Sequence, residues 1–215
     1  MSGAGGRPPV PRLHLVTNRR LCGGRALADV VAEAAAGGLG AVQLREKDLP
    51  GGALLAEARA LARALGPTLL IVNDRADVAL AAGAAGVHLP EDGLPVAAVR
   101  ALAGPATLIG RSVHSVAGAR AAEADGADYV VLGTVFATAS KPGGEPGGLD
   151  LVRAAADAVR IPVIAIGGID GRNAASVVGA GAYGVAVMSA ILQAAAPALV
   201  VEQLREIVGR EAAWR

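Results

Sequence analysis

Asp125-Gly126-Ala127-Asp128-Tyr129-Val130-Val131-Leu132 is the stretch from which the fold can be read. An Ala-rich, helix-forming segment stops at Gly126, and a uniformly apolar run starts three positions later. Glycine there lets the chain leave a helix through a left-handed residue. Tyr-Val-Val-Leu has no polar face, as befits a strand covered on both sides. The phrase returns as GGLGAVQL (37–44), AGAAGVHL (82–89) and GAGAYGVAVM (179–188). Each reads as a helix stop followed by a strand start, the chemistry of the αβ loops at the bottom of a barrel, so these glycines read as structural.

Outward from these phrases the apolar runs are Leu13–Thr17, Ala41–Arg45, Thr68–Asn73, Gly86–Leu89, Thr107–Val113, Tyr129–Val135, Pro162–Gly167 and Gly184–Ser189. Amphipathic stretches between them, such as Ala26–Ala36, Ala53–Leu65, Ala117–Ala124 and Leu149–Val159, predict helices, and a last helix is expected from Ala198 to Arg210. Repeated strand–helix units require a parallel sheet, because parallel strands need crossover connections. Eight units favour closure. The expected fold is therefore α/β, a single-domain (β/α)8 TIM barrel over residues 13–215, behind a loose Gly/Pro-rich tail at 1–12. An open doubly wound sheet is the alternative. It calls for a glycine-rich turn after the first strand, where Thr17-Asn18-Arg19-Arg20 stands instead.

Composition narrows the function. At 215 residues and 53% hydrophobic, the chain can bury a large core, and with 2% aromatics that core must be Ala, Val, Leu and Ile. A net charge of +1 argues against a general nucleic-acid binder. The lone Cys22 excludes a disulfide framework and a cysteine metal cluster, and is read as inert. No apolar run approaches the roughly 20 residues of a membrane span, and the N-terminus lacks the apolar core of a secretion signal. The expected location is the cytoplasm, with no nucleic-acid or membrane partner.

In such a barrel the chemistry sits where strands end. The second strand runs into Gln43-Leu44-Arg45-Glu46-Lys47-Asp48. Alternation places Gln43, Arg45 and Lys47 on one face, either an anion site or a solvated charge run. The third ends in Asn73-Asp74, either a helix cap or a carboxylate for Mg²⁺. The fourth ends in Pro90-Glu91-Asp92-Gly93, either a plain turn or a second metal ligand. The fifth places Ser112 and His114 on one face, His114 more simply a satisfied core histidine than a catalyst. After the sixth comes the longest loop, holding Thr138, Ala139, Ser140 and Lys141. Long loops in compact domains commonly bind or cover a ligand, and Lys141 is suited to close over a phosphate. The seventh and eighth strands end in Gly167-Gly168 and Met188-Ser189, where barrels of this kind often bind phosphate on backbone N–H groups.

Taken as an ordered set, QLREK, IVND, GRSVHS, the Thr-x-Ser-Lys of the sixth loop, IGGI and AVMSA resemble the thiamine phosphate synthase family, which shares its fold with the thiazole tautomerases. The likeness runs from Leu13 to about Leu192. It implies a transferase that joins hydroxymethylpyrimidine diphosphate to a thiazole phosphate carboxylate, releasing pyrophosphate and CO₂ through a pyrimidinylmethyl cation. By similarity, Gln43, Arg45, Lys47, Asn73, Ser112 and Lys141 hold the pyrimidine diphosphate, Leu44 and Glu46 belong to the same substrate-binding segment, and Arg45, Lys47, Ser112 and Lys141 also act in catalysis. Thr138, Ala139, Ser140, Gly168, Met188 and Ser189 hold the thiazole phosphate. Asp74 and Asp92 bind Mg²⁺.

The fourth loop departs from the family. Synthases typically carry Gly-Gln-Glu-Asp there, and a gapless match puts Gly93 at the ligand position and Asp92 one place early. Asp92 reaches the metal from a shifted loop, Glu91 substitutes, or the second ligand is missing. Leu89-Pro90 and GRSVHS look closer to the tautomerases, which carry a catalytic His where Thr134 stands and tend to lack the carboxylate of Asp74. The synthases, for their part, usually have Pro at the Thr134 position. Keeping Arg45, Lys47, Asp74 and Lys141 together favours the synthase. The alternatives are an isomerase of the thiazole carboxylate and a non-catalytic barrel that binds the thiazole phosphate. Phe136 is the aromatic nearest the expected mouth, whereas Trp214 lies in the C-terminal tail. A homodimer is compatible with a barrel of this size.

Overall fold

The structure, a computed structural model, describes residues 6–138 and 145–210. Eight parallel strands close on themselves in sequence order. They are β1 (Leu13–Val16), β2 (Ala41–Leu44), β3 (Leu69–Asn73), β4 (Gly86–Leu89), β5 (Leu108–Val113), β6 (Tyr129–Leu132), β7 (Val163–Ile166) and β8 (Gly184–Val187). Closure is made by β1 on β8, with Leu13 opposite Val185 and Leu15 opposite Val187. The outer layer is α1 (Leu27–Ala36), α2 (Gly51–Ala64), α3 (Ala76–Ala82), α4 (Val96–Ala103), α5 (Val116–Ala124), α6 (Gly148–Ala158), α7 (Ala174–Gly179), the single turn α8 (Ser189–Leu192) and α9 (Pro197–Arg210). No described helix is long and apolar enough to cross a membrane.

The glycines of the repeated phrase do what their position demands: Gly38, Gly83, Gly126 and Gly181 all have φ between 67° and 104°, a region costly for other L-residues. Strand and helix bounds fall close to expectation, with two informative exceptions. β6 ends at Leu132, three residues early, although Val135 is fully buried. Past Leu132 the chain still bonds to the end of β7, Val135 N–H to Ile166 O and Phe136 N–H to Gly167 O, so the apolar pattern outlives the regular strand. α2 starts at Gly51 rather than Ala53, its two glycines masking the start because glycine is a poor helix former.

Two cores follow from the period-2 alternation. Outward residues such as Leu15, Val42, Leu44 and Val72 pack under the helices. Inward residues Val16, Ala41, Ile71, Tyr129, Val131, Ile164 and Ala186 fill the barrel. Tyr129 is its largest interior side chain, and the scarcity of aromatics makes room for it a local matter. A Cβ on Gly110 would stand 2.2 Å from Tyr129 Cζ, so β5 needs glycine opposite the ring.

Residues 7–12, expected in the loose tail, lie instead across the lower end of the barrel. Arg7 pairs with Asp128 and bonds to Pro105 O, and Arg12 stacks on the Tyr183 ring at 4.4 Å. The Tyr183 hydroxyl donates to Val10 O at 2.9 Å. The Gly/Pro composition of the segment is that of an extended strap as much as that of a disordered one.

Candidate active site

The upper end of the barrel carries three adjoining hollows. The central one, about 210 Å³, opens directly above the barrel interior. Its wall includes Gln43, Arg45, Asn73, Ser112, His114 and Thr134. Through Asn73 it adjoins an outer hollow of about 240 Å³ beside β2 and β3, lined by Leu44, Glu46, Lys47, Leu49, Leu54, Asp74 and Arg75. On the other side, through Thr138, Ile166, Gly167 and Met188, it adjoins a third of about 330 Å³ that reaches Asn18, Gly168, Ser189 and Gln193. Taken together the three make a trench of adjoining hollows across the mouth, with cations toward one end and glycine backbone and hydroxyls toward the other.

The cationic end is built by β1, β2 and β3. Thr17, fully buried, accepts from the Arg45 backbone N–H at 2.9 Å and pins the end of β2. Gln43 Nε2 donates to Asn73 Oδ1 at 3.0 Å, which leaves the Gln43 carbonyl and the Asn73 NH₂ for a ligand. Alternation was expected to keep Gln43, Arg45 and Lys47 together. It holds for Gln43 and Arg45, but Lys47 opens on the outer hollow with Leu44 and Glu46. The strand stops at Leu44, and Glu46 is drawn inward, accepting from the Arg19 backbone at 3.0 Å and from its guanidinium at 3.0 Å. Arg19 also forks onto Asp48 at 2.7 Å, holding that carboxyl well below the usual range. Leu44, fully buried, packs in the outer core. Leu44 and Glu46 thus shape the rim, and Glu46 spends its charge on Arg19. Arg45 and Lys47 differ: among the described residues neither has a carboxylate within ion-pair distance, whereas Arg19, Arg20, Arg75, Arg111 and Arg172 each do. The two stand on adjoining hollows, where positive charge without a carboxylate partner attracts anions.

Asp74 stands at the junction of strand and loop, exposed, with φ of 65°. It is the sole non-glycine residue with positive φ among those described. Its N–H is held by His88 O at 2.8 Å. A conformation that disfavours side chains persists where the surroundings impose it, and such places concentrate at functional sites. Asp92 is exposed in the turn after β4 and lines none of the three hollows. Glu91 is taken up by His114, which donates from Nδ1 to Oε2 at 2.5 Å and from its backbone N–H to Oε1 at 3.3 Å. No group of three His, Cys, Asp or Glu side chains fit to hold a metal occurs among the described residues.

At the far end Gly167 and Gly168 have φ of 110° and 61°, and a Cβ on Gly168 would meet Ala137 O at 2.6 Å. The pair therefore has a packing reason: it lets the β7 loop lie flat against the β6 loop. The helix expected to lend its dipole is short, α7 having six residues and α8 four. Ser189 and the backbone are the groups offered. Phe136 is half-buried, packs on the outer core and lines none of the three hollows. Ala139, Ser140, Lys141 and Trp214 lie outside the described residues.

Beneath the mouth lies a layer that the sequence reading passed over. His88 and His14 flank Tyr129, with ring centroids 5.7 and 5.5 Å away. Burial pushes His88 down to about 3 and His14 down to about 4, so both rings are neutral. His88 Nε2 lies 2.8 Å from Ser112 Oγ. Alternation along Gly86–Leu89 already put His88 on the inward face, and that was the signal available. Asn18 and Gln193 also line the trench without having been singled out; they sit in loops, where periodicity says nothing.

A family model described as thiamine monophosphate synthase matches residues 13–191. A putative thiamine-phosphate synthase of Geobacter sulfurreducens is 52% identical over 184 residues, covering 84% of this chain and 86% of the relative. The thiamine-phosphate synthase of Moorella thermoacetica is 47% identical over 202 residues, covering 92% and 96%. Among solved structures, a thiamine phosphate pyrophosphorylase from Pyrococcus furiosus superposes with a TM-score of 0.84 at 37% identity, covering 93% of this chain and 96% of that one. A 3-hexulose-6-phosphate synthase, at 20% identity and a TM-score of 0.71, shares the fold.

Proposed function

The chain belongs to the thiamine monophosphate synthase family and is a transferase of thiamine biosynthesis; on that footing we propose that the trench performs the condensation by gripping a diphosphate at one end and a monophosphate at the other. The observation that carries this is the shared lining of the three hollows, with Arg45 and Lys47, which have no carboxylate partner among the described residues, on one side and the Gly167-Gly168 and Ser189 backbone on the other. Hydroxymethylpyrimidine diphosphate lies with its diphosphate over Arg45, Lys47 and Asn73 and its ring over Ser112. The thiazole phosphate sits with its phosphate against Gly168, Met188 and Ser189, which turns its ring nitrogen to the central hollow. The C–O bond to the diphosphate breaks first. The electron pair leaves with pyrophosphate, and the thiazole nitrogen then bonds to the exposed methylene carbon. Loss of CO₂ gives thiamine monophosphate when the thiazole is supplied as its carboxylate.

Such a reaction asks the protein for no nucleophile. It asks for charge where the leaving group becomes more negative, and fixed cations in a partly desolvated hollow supply most there. Arg45 offers a planar fork to two phosphate oxygens and Lys47 a point charge. We assign Lys141, by likeness to the family, to the same diphosphate.

The donor set fits Mg²⁺ carried in with the substrate. Asp74 presents one exposed carboxylate beside the cationic end, and Mg²⁺ is commonly held by one or two carboxylates together with phosphate oxygens and water. Asp74 would hold it, and when bound it neutralises charge on the diphosphate. Asp92 and Glu91 are not assigned as ligands, the first lying off the trench and the second committed to His114.

Arg45→Ala, Asp74→Ala and Lys141→Ala test the assignment. Each should lower kcat/KM for thiamine phosphate formation by roughly 10²-fold or more. A rate within a few-fold of the parent for all three would remove the charge stabilisation proposed here.

A further inference from the structure

Ser112 rests on a histidine that is 1% exposed, and their contact sets the direction of the serine hydroxyl. His88 Nε2 lies 2.8 Å from Ser112 Oγ. The other ring nitrogen, Nδ1, faces the barrel floor. A Cβ on Gly110 would lie 2.6 Å from it, and no hydrogen-bond partner reaches it among the described residues. A neutral imidazole has one N–H and one lone pair. A proton on Nδ1 would bury a donor against glycine and a tyrosine ring with no acceptor among the described residues, the costlier kind of orphan. A proton on Nε2 leaves a lone pair unused and completes the bond to Ser112. Ser112 Oγ then accepts from below, and its own O–H is left to donate elsewhere. Ser112 is half-buried and lines the central hollow.

We infer that His88 is a positioning residue: as the Nε2–H tautomer it holds Ser112 as a hydrogen-bond donor aimed into the central hollow, so the substrate atom above Ser112 is an acceptor. The tautomer stands on the contacts alone. The donation to the pyrimidine diphosphate rests on the function proposed above.

Nitrogen-15 NMR of the intact protein reads the tautomer directly, with His88→Gln assigning the resonances. The proton should be found on Nε2; a His88 that carries its proton on Nδ1 alone overturns the inference. A kinetic cycle tests the consequence. Ser112→Ala and His88→Leu should each lower kcat/KM by about tenfold, the worth of one hydrogen bond at the upper end of the usual range. The double variant should fall less than about threefold further, because the two act as one unit. His88→Gln, which keeps an N–H to donate, should recover most of the loss. Effects that multiply in the double variant, or no recovery by Gln, would mean that His88 acts through the fold and not through Ser112. If the parent protein makes no thiamine phosphate, that failure falls on the substrate reading, and the NMR result still decides the tautomer.

Discussion

Gly168→Ala separates the two ends of the trench. At φ of 61° an alanine pays the left-handed penalty of about 1–2 kcal/mol. Its Cβ would also stand 2.6 Å from Ala137 O and 2.9 Å from Phe136 Cβ, so the β6 and β7 loops must part by several tenths of an ångström. Overpacking of that kind costs about 1–3 kcal/mol. The contact is with backbone, which yields less easily than the tip of a side chain. A combined loss of about 2–5 kcal/mol corresponds to a fall in Tm of roughly 4–20 °C for a chain of this size. The same displacement moves the backbone proposed to hold the thiazole phosphate, whereas Arg45, Lys47 and Asp74 stand on the other side of the mouth. Thermal melts and steady-state kinetics with each substrate varied in turn should show both effects. KM for the thiazole phosphate should rise about tenfold or more, since a misplaced phosphate contact is charge-assisted, while KM for the diphosphate changes little. A Tm within 1 °C of the parent would show that the close approach at Gly168 is not what holds the loops. A rise in KM for the diphosphate alone would reverse the polarity assigned to the trench.

Tyr129→Phe should stabilise the protein: the ring is fully buried and its hydroxyl has no hydrogen-bond partner among the described residues, so removing the oxygen relieves about 1 kcal/mol and raises Tm by roughly 2–4 °C. A lower Tm would mean that the hydroxyl is paired. The folded-state pKa values of His14 and His88 lie below the unfolded value of 6.5, so their contribution is fully present above about pH 6.5 and is lost as pH falls toward 4 and 3. Between pH 7 and pH 5 the two histidines of the unfolded chain take up about 1.5 protons that the folded one largely refuses, a loss of about 3–4 kcal/mol in urea unfolding. His14→Gln should remove about half of that slope, and an unchanged slope would contradict it. Lys47→Ala should raise KM for the diphosphate and weaken its dependence on salt, as expected when one fixed charge is lost; an unaltered salt dependence would take Lys47 out of the site.

Much of this was legible before any coordinates. The glycine of the repeated phrase announces a helix stop because few other residues tolerate a left-handed C-cap, and Gly38, Gly83, Gly126 and Gly181 all take that conformation. Arg45, Asn73 and Ser112 were legible because each ends an apolar strand with a polar group at an inward register, and they line one hollow. Lys47 parts from Gln43 and Arg45, since alternation ends with the strand at Leu44 and there Glu46 pairs with Arg19. Sequence alone could not weigh that pair, which joins residues 27 positions apart. The strap at residues 7–12 was misjudged for a similar reason: its partners, Asp128 and Tyr183, are far along the chain. In the fourth loop Asp92 lines none of the three hollows, and Glu91 bonds to His114.

The most direct test of the trench is to mix the purified protein with hydroxymethylpyrimidine diphosphate, the thiazole phosphate carboxylate and Mg²⁺, and to quantify products with and without EDTA. Thiamine monophosphate and pyrophosphate should appear in equal amounts with Mg²⁺ and be lost when it is chelated. Isomerised thiazole carboxylate forming in EDTA, with no thiamine monophosphate under either condition, would contradict a mouth built to draw a diphosphate off carbon.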